Sequence, residues 1–200
     1  MYALLRSELY RVATIRSSQI SIVVFSALGM LFGWFNVDAW GLLAGMGAFG
    51  LAVMIVAQHH QHRTAVLLYL ARPNRMTVLI GQVLTSVIVA VAVAAVSGVP
   101  VLVKGDPTHY TDTLAVVPVM AVFGAANAAI VRRSTWVFLG YAGWFVFVEG
   151  LIGRLKAPLP FSAFLEAGTG DSRNLVITAA WALLASGVAL VAVRRDLTGD

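Results

Sequence analysis

Residues 87–96 read VIVAVAVAAV, and this stretch decides the fold class. Its apolar residues follow one another without the alternation of polar and apolar side chains that marks a strand of a membrane barrel. A segment in lipid has to satisfy its own backbone hydrogen bonds, which leaves helices and closed barrels as the structures that can cross. The stretch therefore predicts a membrane-spanning helix, which we place at about 76–103.

Five further stretches are apolar over the length that crosses a hydrocarbon core, about 17–25 residues. The whole chain is 60% hydrophobic and only 12% charged, against about 25% charged residues in a soluble domain. We therefore predict an all-α polytopic integral membrane protein, with residues 1–200 forming a single transmembrane domain. Its six predicted transmembrane helices are about 18–35, 40–57, 76–103, 114–131, 135–153 and 175–193.

The positions of the basic residues predict the orientation of the spans. With the N-terminus inside, ten basic residues fall on the inner side and four on the outer side, which is the bias of cytoplasmic loops. We therefore predict cytoplasmic N- and C-termini in a cell (inner or plasma) membrane, and we attribute the net charge of +5 to topology and not to a nucleic-acid partner. The inner ten are Arg6, Arg11, Arg16, Arg63, Arg72, Arg75, Arg132, Arg133, Arg194 and Arg195.

Two segments outside the spans also have helical character. Residues 1–17 favour an amphipathic helix in the inner membrane interface, although a charged flank that merely orients the first span is the alternative. The connection 154–174 contains the apolar stretch PFSAFLEA, which is too short to cross and predicts a re-entrant or surface helix on the outer side. The helical spacing in 1–17 comes from Tyr2, Leu5, Leu9 and Val12.

Glu149 is the only acidic residue within a predicted span. Counted from Thr135 at about 1.5 Å per residue, it lies about 21 Å along the fifth span, near its outer end. An ionisable group inside a membrane is costly and is by default a functional candidate. The sequence leaves two compatible roles open: a residue of the gate or pathway, and a structural ion pair with Arg154 or Lys156.

Motifs for catalysis or metal binding are missing from the sequence. His59, His60 and His62 are close together, but no carboxylate stands near them to complete a metal site. There is no cysteine, no G-x-S-x-G, no H-E-x-x-H and no G-x-x-x-x-G-K-[ST]. We therefore predict that the chain is not an enzyme by itself, and that it binds no metal and no nucleotide.

The segment 58–82 reads QHHQHRTAVLLYLARPNRMTVLIGQ. It resembles the cytoplasmic loop of type-2 permeases of ATP-binding-cassette (ABC) exporters, especially actinobacterial ones, in which E-[YF]-R-H-x-T precedes an apolar stretch and L-A-x-P-x-R. His59 stands in place of the family's glutamate, and Gln82 in place of its lysine. The residues that match the family pattern are His62, Thr64, Leu70, Ala71, Pro73 and Arg75.

In that family the loop contains the coupling helix that docks on the ATPase. The resemblance therefore implies a cytoplasmic coupling segment at 58–75. The implied ATPase-coupling residues are His62, Arg63, Thr64, Leu70, Arg72, Pro73 and Arg75.

A second resemblance to the same family covers WFVFVEGLIG at 144–153 and LPFSAFL at 159–165. The first is similar to the family's fifth span, which has a glutamate at its outer end. The second is similar to the re-entrant segment that forms an external gate. The implied pathway or outer-gate residues are Glu149, Phe161, Phe164 and Leu165.

Taken together, the resemblances imply the membrane-spanning permease subunit of an ATP-driven exporter. Such a subunit forms the translocation pathway with a second permease subunit, as a homodimer or a heterodimer, and couples to two copies of a separate ATPase that hold ATP and magnesium. The cargo is left open among drugs, peptides and lipids. The alternative function is a non-transporting membrane anchor or a haem-binding electron-transfer subunit that uses the histidines.

Overall fold

A computed structural model of the chain describes residues 2–61 and 75–195, with side chains left out for 59–61, 75 and 194–195. All regular structure within these residues is helical. Residues 144–152 form a π-helical segment directly after the helix Ser134–Gly143, and its backbone hydrogen bonds join residues five apart. The helices are α1 (Tyr2–Thr14), α2 (Arg16–Phe35), α3 (Val37–Gln61), α4 (Arg75–Ser97), α5 (Val99–Val103), α6 (Pro107–Val131), α7 (Ser134–Gly143), α8 (Pro160–Gly168) and α9 (Ser172–Arg195).

Six helices of the described residues are long and apolar enough to cross a membrane, which confirms the prediction of six span-length helices in an all-α chain. The orientation of the two termini stays a prediction. The six segments are Arg16–Phe35, Val37–Gln58, Met76–Ser97, Pro107–Val131, Ser134–Ile152 and Ser172–Val193.

The third span is shorter than predicted and the fourth is longer. Gly98 separates α4 from α5, and a Cβ atom at this position would overlap the indole ring of Trp40. Helix α4 ends at Ser97, three residues before Pro100, whose missing N–H cannot continue the bonding pattern of the helix. The fourth span begins early because Asp106 caps α6, its Oδ1 accepting a bond from the backbone N–H of His109 at 3.1 Å.

Three of the six spans form the centre of the bundle. In α3, 72% of the span is buried, and in α4 and α6 the share is 56%, whereas only 17% of α2, 11% of the fifth span and 17% of α9 are buried. Helices α3 and α6 pack closely at Gly124 of α6, where a Cβ atom would lie 2.6 Å from the carbonyl oxygen of Phe49 in α3. Small residues permit this approach of two backbones in a membrane bundle.

Glycines of the first two spans leave room for neighbouring elements. At Gly29 a Cβ atom would lie 2.6 Å from the Cβ of Ser97, and at Gly45 it would overlap the ring of Phe164. A larger residue at either position would therefore collide with α4 or α8.

The N-terminal helix α1 packs across the bundle end that is far from α8, and we call this the α1 end. Its buried residues are Leu4, Glu8 and Val12, one turn apart, whereas Tyr2 is 78% exposed. The inward stripe thus includes an acid and omits a tyrosine that we had placed on the apolar face. Whether this helix lies in a membrane interface stays a prediction.

Candidate functional site

Glu149 is fully buried, with 0% of its surface exposed. It lies in the π-helical segment Trp144–Ile152, which ends where the backbone N–H of Gly153 donates to the carbonyl of Val148 at 2.7 Å. Residues five apart lie one turn apart in a π-helix, and such segments are frequent at functional sites. The π-helical turn therefore stacks Trp144 on Glu149, and the indole Nε1 donates to the carboxylate Oε1 at 3.0 Å.

The remaining bonds to Glu149 come from the first turn of the short helix α8. The backbone N–H of Phe161 donates to Oε1 at 3.2 Å. The backbone N–H of Ser162 donates to Oε2 at 2.6 Å, and its Oγ donates to the same oxygen at 2.7 Å. All four partners of the carboxyl group are donors, which suits an ionised carboxylate because it only accepts hydrogen bonds.

Glu149 thereby caps a helix of which it is not a part. The first N–H groups of any helix lack partners inside the helix, and Leu159, which precedes α8, supplies no side-chain cap. Pro160 at the first position has no N–H to satisfy. A negative charge is also favoured beside the positive end of the helix dipole. The carboxylate of Glu149 thus fixes the start of α8 against the fifth span, and we call these contacts the Glu149 tether.

The ion pair that we considered for Glu149 is not formed. Within the described residues, neither Arg154 nor Lys156 makes an ion pair with its carboxylate, and both side chains are solvent-facing in the chain. The cause is the path of the backbone, which turns at Arg154 and Leu155 with φ of 50° and 56° and then returns toward the bundle as α8. As a result, the carboxylate accepts hydrogen bonds from backbone N–H groups of α8 and forms no pair with either cation.

Phe161, the second residue of α8, lies in an aromatic cluster with rings of two spans, α3 and the fifth span. Its ring centroid is 5.4 Å from that of Phe49, 6.1 Å from that of Tyr141 and 5.6 Å from that of Phe145, each in an edge-to-face arrangement. Such pairs stabilise by about 0.5–1.5 kcal/mol beyond the burial of their area. The aromatic cluster therefore holds the same turn of α8 that the Glu149 tether holds.

The rest of α8 packs against α3 and α6 and borders a cavity. Phe164 is buried over Gly45 of α3, and the hydroxyl of Thr113 in α6 donates to the carbonyl of Gly168 at 3.4 Å. Leu165 is half-buried and lines a cavity of about 410 Å³ at this end of the bundle. The other walls of this cavity, which we call the end cavity, include Asn36, Asp38, Leu42, His109, Leu155 and Glu166.

The structure therefore brings the four predicted gate residues together. Phe161, Phe164 and Leu165 lie on one nine-residue helix, and Glu149 is bonded directly to its first turn. Phe164 and Leu165 both line the end cavity. Leu165 is the one of the four with a partly exposed side chain, because Glu149, Phe161 and Phe164 are buried.

The predicted coupling residues fall outside the described part of the chain. Arg75 begins α4, but its side chain is not described. The side chains of His59 and His60 are likewise not described, and among the described residues no group of three or more His, Cys, Asp or Glu side chains is placed to hold a metal ion. The remaining coupling residues, all outside the described ranges, are His62, Arg63, Thr64, Leu70, Arg72 and Pro73.

Several polar contacts of the site were not predicted from the sequence. Trp144 and Ser162 complete the Glu149 tether. Next to it, the hydroxyl of Tyr141 donates to Oδ1 of Asn127 at 2.9 Å, and the amide of Asn127 donates to the carbonyl of Phe123 at 2.8 Å. Asn127 is the only asparagine in a predicted span, and a lone amide in an apolar helix is a signal that a polar partner faces it.

Comparisons with known proteins give no match: no protein-family model and no curated protein matches this chain. The resemblance to the ABC exporter permeases therefore rests on the residues of the coupling segment and of 144–165 quoted above.

Proposed function

We propose that this chain is the membrane-spanning permease subunit of an ATP-driven ABC exporter, a multi-pass protein of the cell membrane that works with a second permease subunit and two copies of a separate ATPase. The observation that carries the proposal is the Glu149 tether. A buried carboxylate in a span-length helix holds the first turn of a short helix that is itself buried in the bundle.

The length of α8 supports its role as a gate. Nine residues of helix measure about 14 Å, which is less than half of a hydrocarbon core of about 30 Å. A helix of this length enters and leaves a bilayer on the same side. Backbone that turns at membrane depth is tolerated only where protein or a water-filled cavity surrounds it. The carboxylate of Glu149, the aromatic cluster around Phe161 and the end cavity beside Leu165 together meet that condition.

In this proposal Glu149 positions the gate and does not bind the cargo. Its four hydrogen bonds all go to groups of this chain, and none of its surface is exposed. The side chains that close the pathway are those of α8, of which Phe164 and Leu165 line the end cavity. Opening then requires α8 to move away from the cavity together with the fifth span, to which the tether fixes its first turn.

Helix α3 supplies the connection from the ATPase side to the gate. Its last residue, Gln61, lies in the segment 58–75 on which the ATPase would act. The same helix carries Gly45, which contacts Phe164 of α8, and Phe49, which contacts Phe161. From Gln61 to Gly45 the helix spans about 24 Å. A tilt or rotation of α3, driven by closure of the ATPases, therefore acts directly on both buried rings of α8.

The proposal is tested by purifying the tagged chain from its native cells in a mild detergent and quantifying the proteins that accompany it. A stoichiometric partner with a phosphate-binding loop supports the permease. The ratio of two permeases to two ATPases, and the number of distinct permease chains, then distinguish a homodimer from a heterodimer. A preparation without any ATPase, under conditions in which known ABC complexes stay intact, contradicts the proposal. A Soret band in the same preparation would favour the haem-binding alternative.

A further inference from the structure

A second cavity lies on the side of the bundle, between α6, the fifth span and α9. Its volume is about 400 Å³, within the range of small-molecule sites, which are mostly apolar concavities of about 300–1,000 Å³. We call it the aromatic cleft because five of its wall residues carry rings. The ring-bearing residues are Phe123, Trp136, Tyr141, Trp144 and Trp181.

The polar groups of these rings are largely occupied by the protein itself. The indole N–H of Trp144 donates to Glu149, that of Trp181 donates to the carbonyl of Pro158 at 3.1 Å, and the hydroxyl of Tyr141 donates to Asn127. No residue that lines the aromatic cleft carries a formal charge. A charged ligand would therefore lose its hydration without gaining a partner, which costs free energy.

A groove at the α1 end shows that a cavity of this size in the bundle does not need a ring-rich wall. This groove has nearly the same volume, about 420 Å³, and lies between α1, α2 and α4. Its walls hold no ring. They are formed by aliphatic or small side chains such as Leu9, Val12, Ile22, Ile88 and Val93. Aliphatic walls suit an acyl chain of a lipid, whereas rings favour offset or edge-to-face contact with another ring.

We propose that the aromatic cleft binds an uncharged, ring-bearing small molecule, and that this molecule belongs to the cargo class of the exporter. Its status as cargo rests on the function proposed above, but its binding does not. The aromatic cleft shares two residues with the gate: Trp144, whose ring is part of the wall while its N–H holds Glu149, and Pro160, the first residue of α8. A bound ring thus lies against the residues that fix the gate.

Two glycines give a matched pair of variants. Gly140 lines the aromatic cleft, and a Cβ atom there would meet no atom within 4 Å, so Gly140→Leu begins in open space and adds bulk to the cleft. Gly187 of α9 has an equally open Cβ position but does not line the cleft. Gly187→Leu therefore adds the same side chain to a span-length helix and leaves the cleft unchanged. Both variants also replace glycine by a better helix former.

The experiment uses benzophenone, an uncharged two-ring molecule that attaches to nearby C–H groups under ultraviolet light. The purified full-length chain in lipid nanodiscs is labelled over a range of concentrations, and the labelled peptides are identified by mass spectrometry. We expect saturable labelling of the peptides that contain Trp136–Trp144 and Trp181. Excess diphenylmethane, which has the same shape but is not photoreactive, should reduce it at least fivefold. Gly140→Leu should reduce it similarly, and Gly187→Leu should leave it unchanged.

Three results would overturn the inference. Equal labelling of the two leucine variants would mean that the probe follows the lipid surface and not the cleft. Competition by methyl palmitate but not by diphenylmethane would mean that the cleft holds an acyl chain. Protection of the cleft peptides in a dimer, with labelling only after dissociation to monomers, would mean that a second copy covers it. None of these results depends on the ATPase, so a failed purification of an ATPase partner and a failed labelling experiment are separate outcomes.

Discussion

Both ends of the bundle bury a glutamate where a helix too short to span the membrane meets the spans, but the two acids are stabilised differently. Glu149 receives hydrogen bonds from backbone N–H groups, an indole and a hydroxyl, and from no cation within the described residues. At the α1 end, Glu8 forms an ion pair with Arg11 at 2.9 Å, and Nη2 of Arg11 donates to the carbonyl of Ile55 in α3 at 3.1 Å.

Because of this difference, the attachments of α8 and α1 should differ in rigidity and in their sensitivity to salt. Hydrogen bonds from backbone N–H groups are fixed in direction by the helix that carries them, so the Glu149 tether holds α8 in one orientation. The Glu8–Arg11 pair uses a flexible side chain that is 22% exposed, and charges that reach water are screened by salt. We therefore expect a rigid attachment at α8 and a salt-sensitive one at α1.

The largest effect is expected for Glu149→Ala, because it leaves several buried donors without an acceptor. A buried donor without a partner costs about 1–3 kcal/mol, so we expect the free energy of unfolding to fall by about 3 kcal/mol or more. Tryptophan fluorescence during unfolding in mixed detergent micelles measures it. Glu166→Ala is the control, because Glu166 is an exposed acid on α8, the helix that Glu149 caps. Equal losses in the two variants would contradict the tether.

A glycine at each end tests how rigid the contact is. Gly45→Ala places a methyl group into the buried ring of Phe164, and Gly81→Ala places one against the end of the Leu4 side chain in α1. The ring is fixed by its neighbours, so we expect an overpacking cost of about 1–3 kcal/mol at Gly45. Leu4 can rotate away, so at Gly81 the better helix propensity of alanine should nearly cancel the cost. The same unfolding measurement compares the two variants, and a larger loss at Gly81 would reverse the comparison.

A smaller effect is expected for Ser162→Ala. It removes one of the four bonds to Glu149 and leaves the backbone N–H of the same residue in place. A hydrogen bond to a charged group contributes about 1.5–3 kcal/mol, and we expect a loss near the lower limit, because three donors remain. Ser7→Ala is the control, since the Ser7 hydroxyl bonds only to the carbonyl of Leu4 within its own helix. Unfolding of both variants should show a loss at Ser162 alone.

The smallest effect is expected for Glu8→Gln, and it should depend on salt. Glutamine can still accept a bond from Arg11, and Arg11 keeps its bond to Ile55 and part of its exposure to water, so we expect a loss of about 1 kcal/mol. Limited proteolysis of the N-terminal segment at 0.05 M and 1 M salt measures the attachment of α1. In the wild-type chain, high salt should increase cleavage, and in Glu8→Gln it should have little further effect. Cleavage of the wild type that does not change with salt would contradict the role of the ion pair.

The sequence was sufficient for the main features of the fold, because its long apolar stretches predicted the six span-length helices. The four gate residues implied by the family resemblance lie together in the structure, but their role as a gate stays a prediction. The partners of Glu149 could not be predicted, because they are backbone groups and carry no residue signature. From charge alone, Arg154 and Lys156 were considered as ion-pair partners of Glu149, because they are the nearest cations in the sequence.

The inward face of α1 shows a different limit of the sequence. Leu5, Leu9 and Val12 follow the helical period, but so do Leu4, Glu8 and Val12. The second stripe faces the bundle because Arg11 can neutralise Glu8 there and because Gly81 leaves space for Leu4. Both conditions depend on tertiary contacts, which the period of one helix does not contain.

The tether also sets an order of events during biosynthesis. Glu149 emerges from the ribosome before its donors on α8, which lie twelve and thirteen positions further along the chain. At about 5–20 residues per second, this lag is on the order of 1–3 s. During that interval the glutamate lacks its helix, and an acidic residue within a span opposes insertion. The short distance in sequence between Glu149 and α8 keeps this exposed intermediate brief.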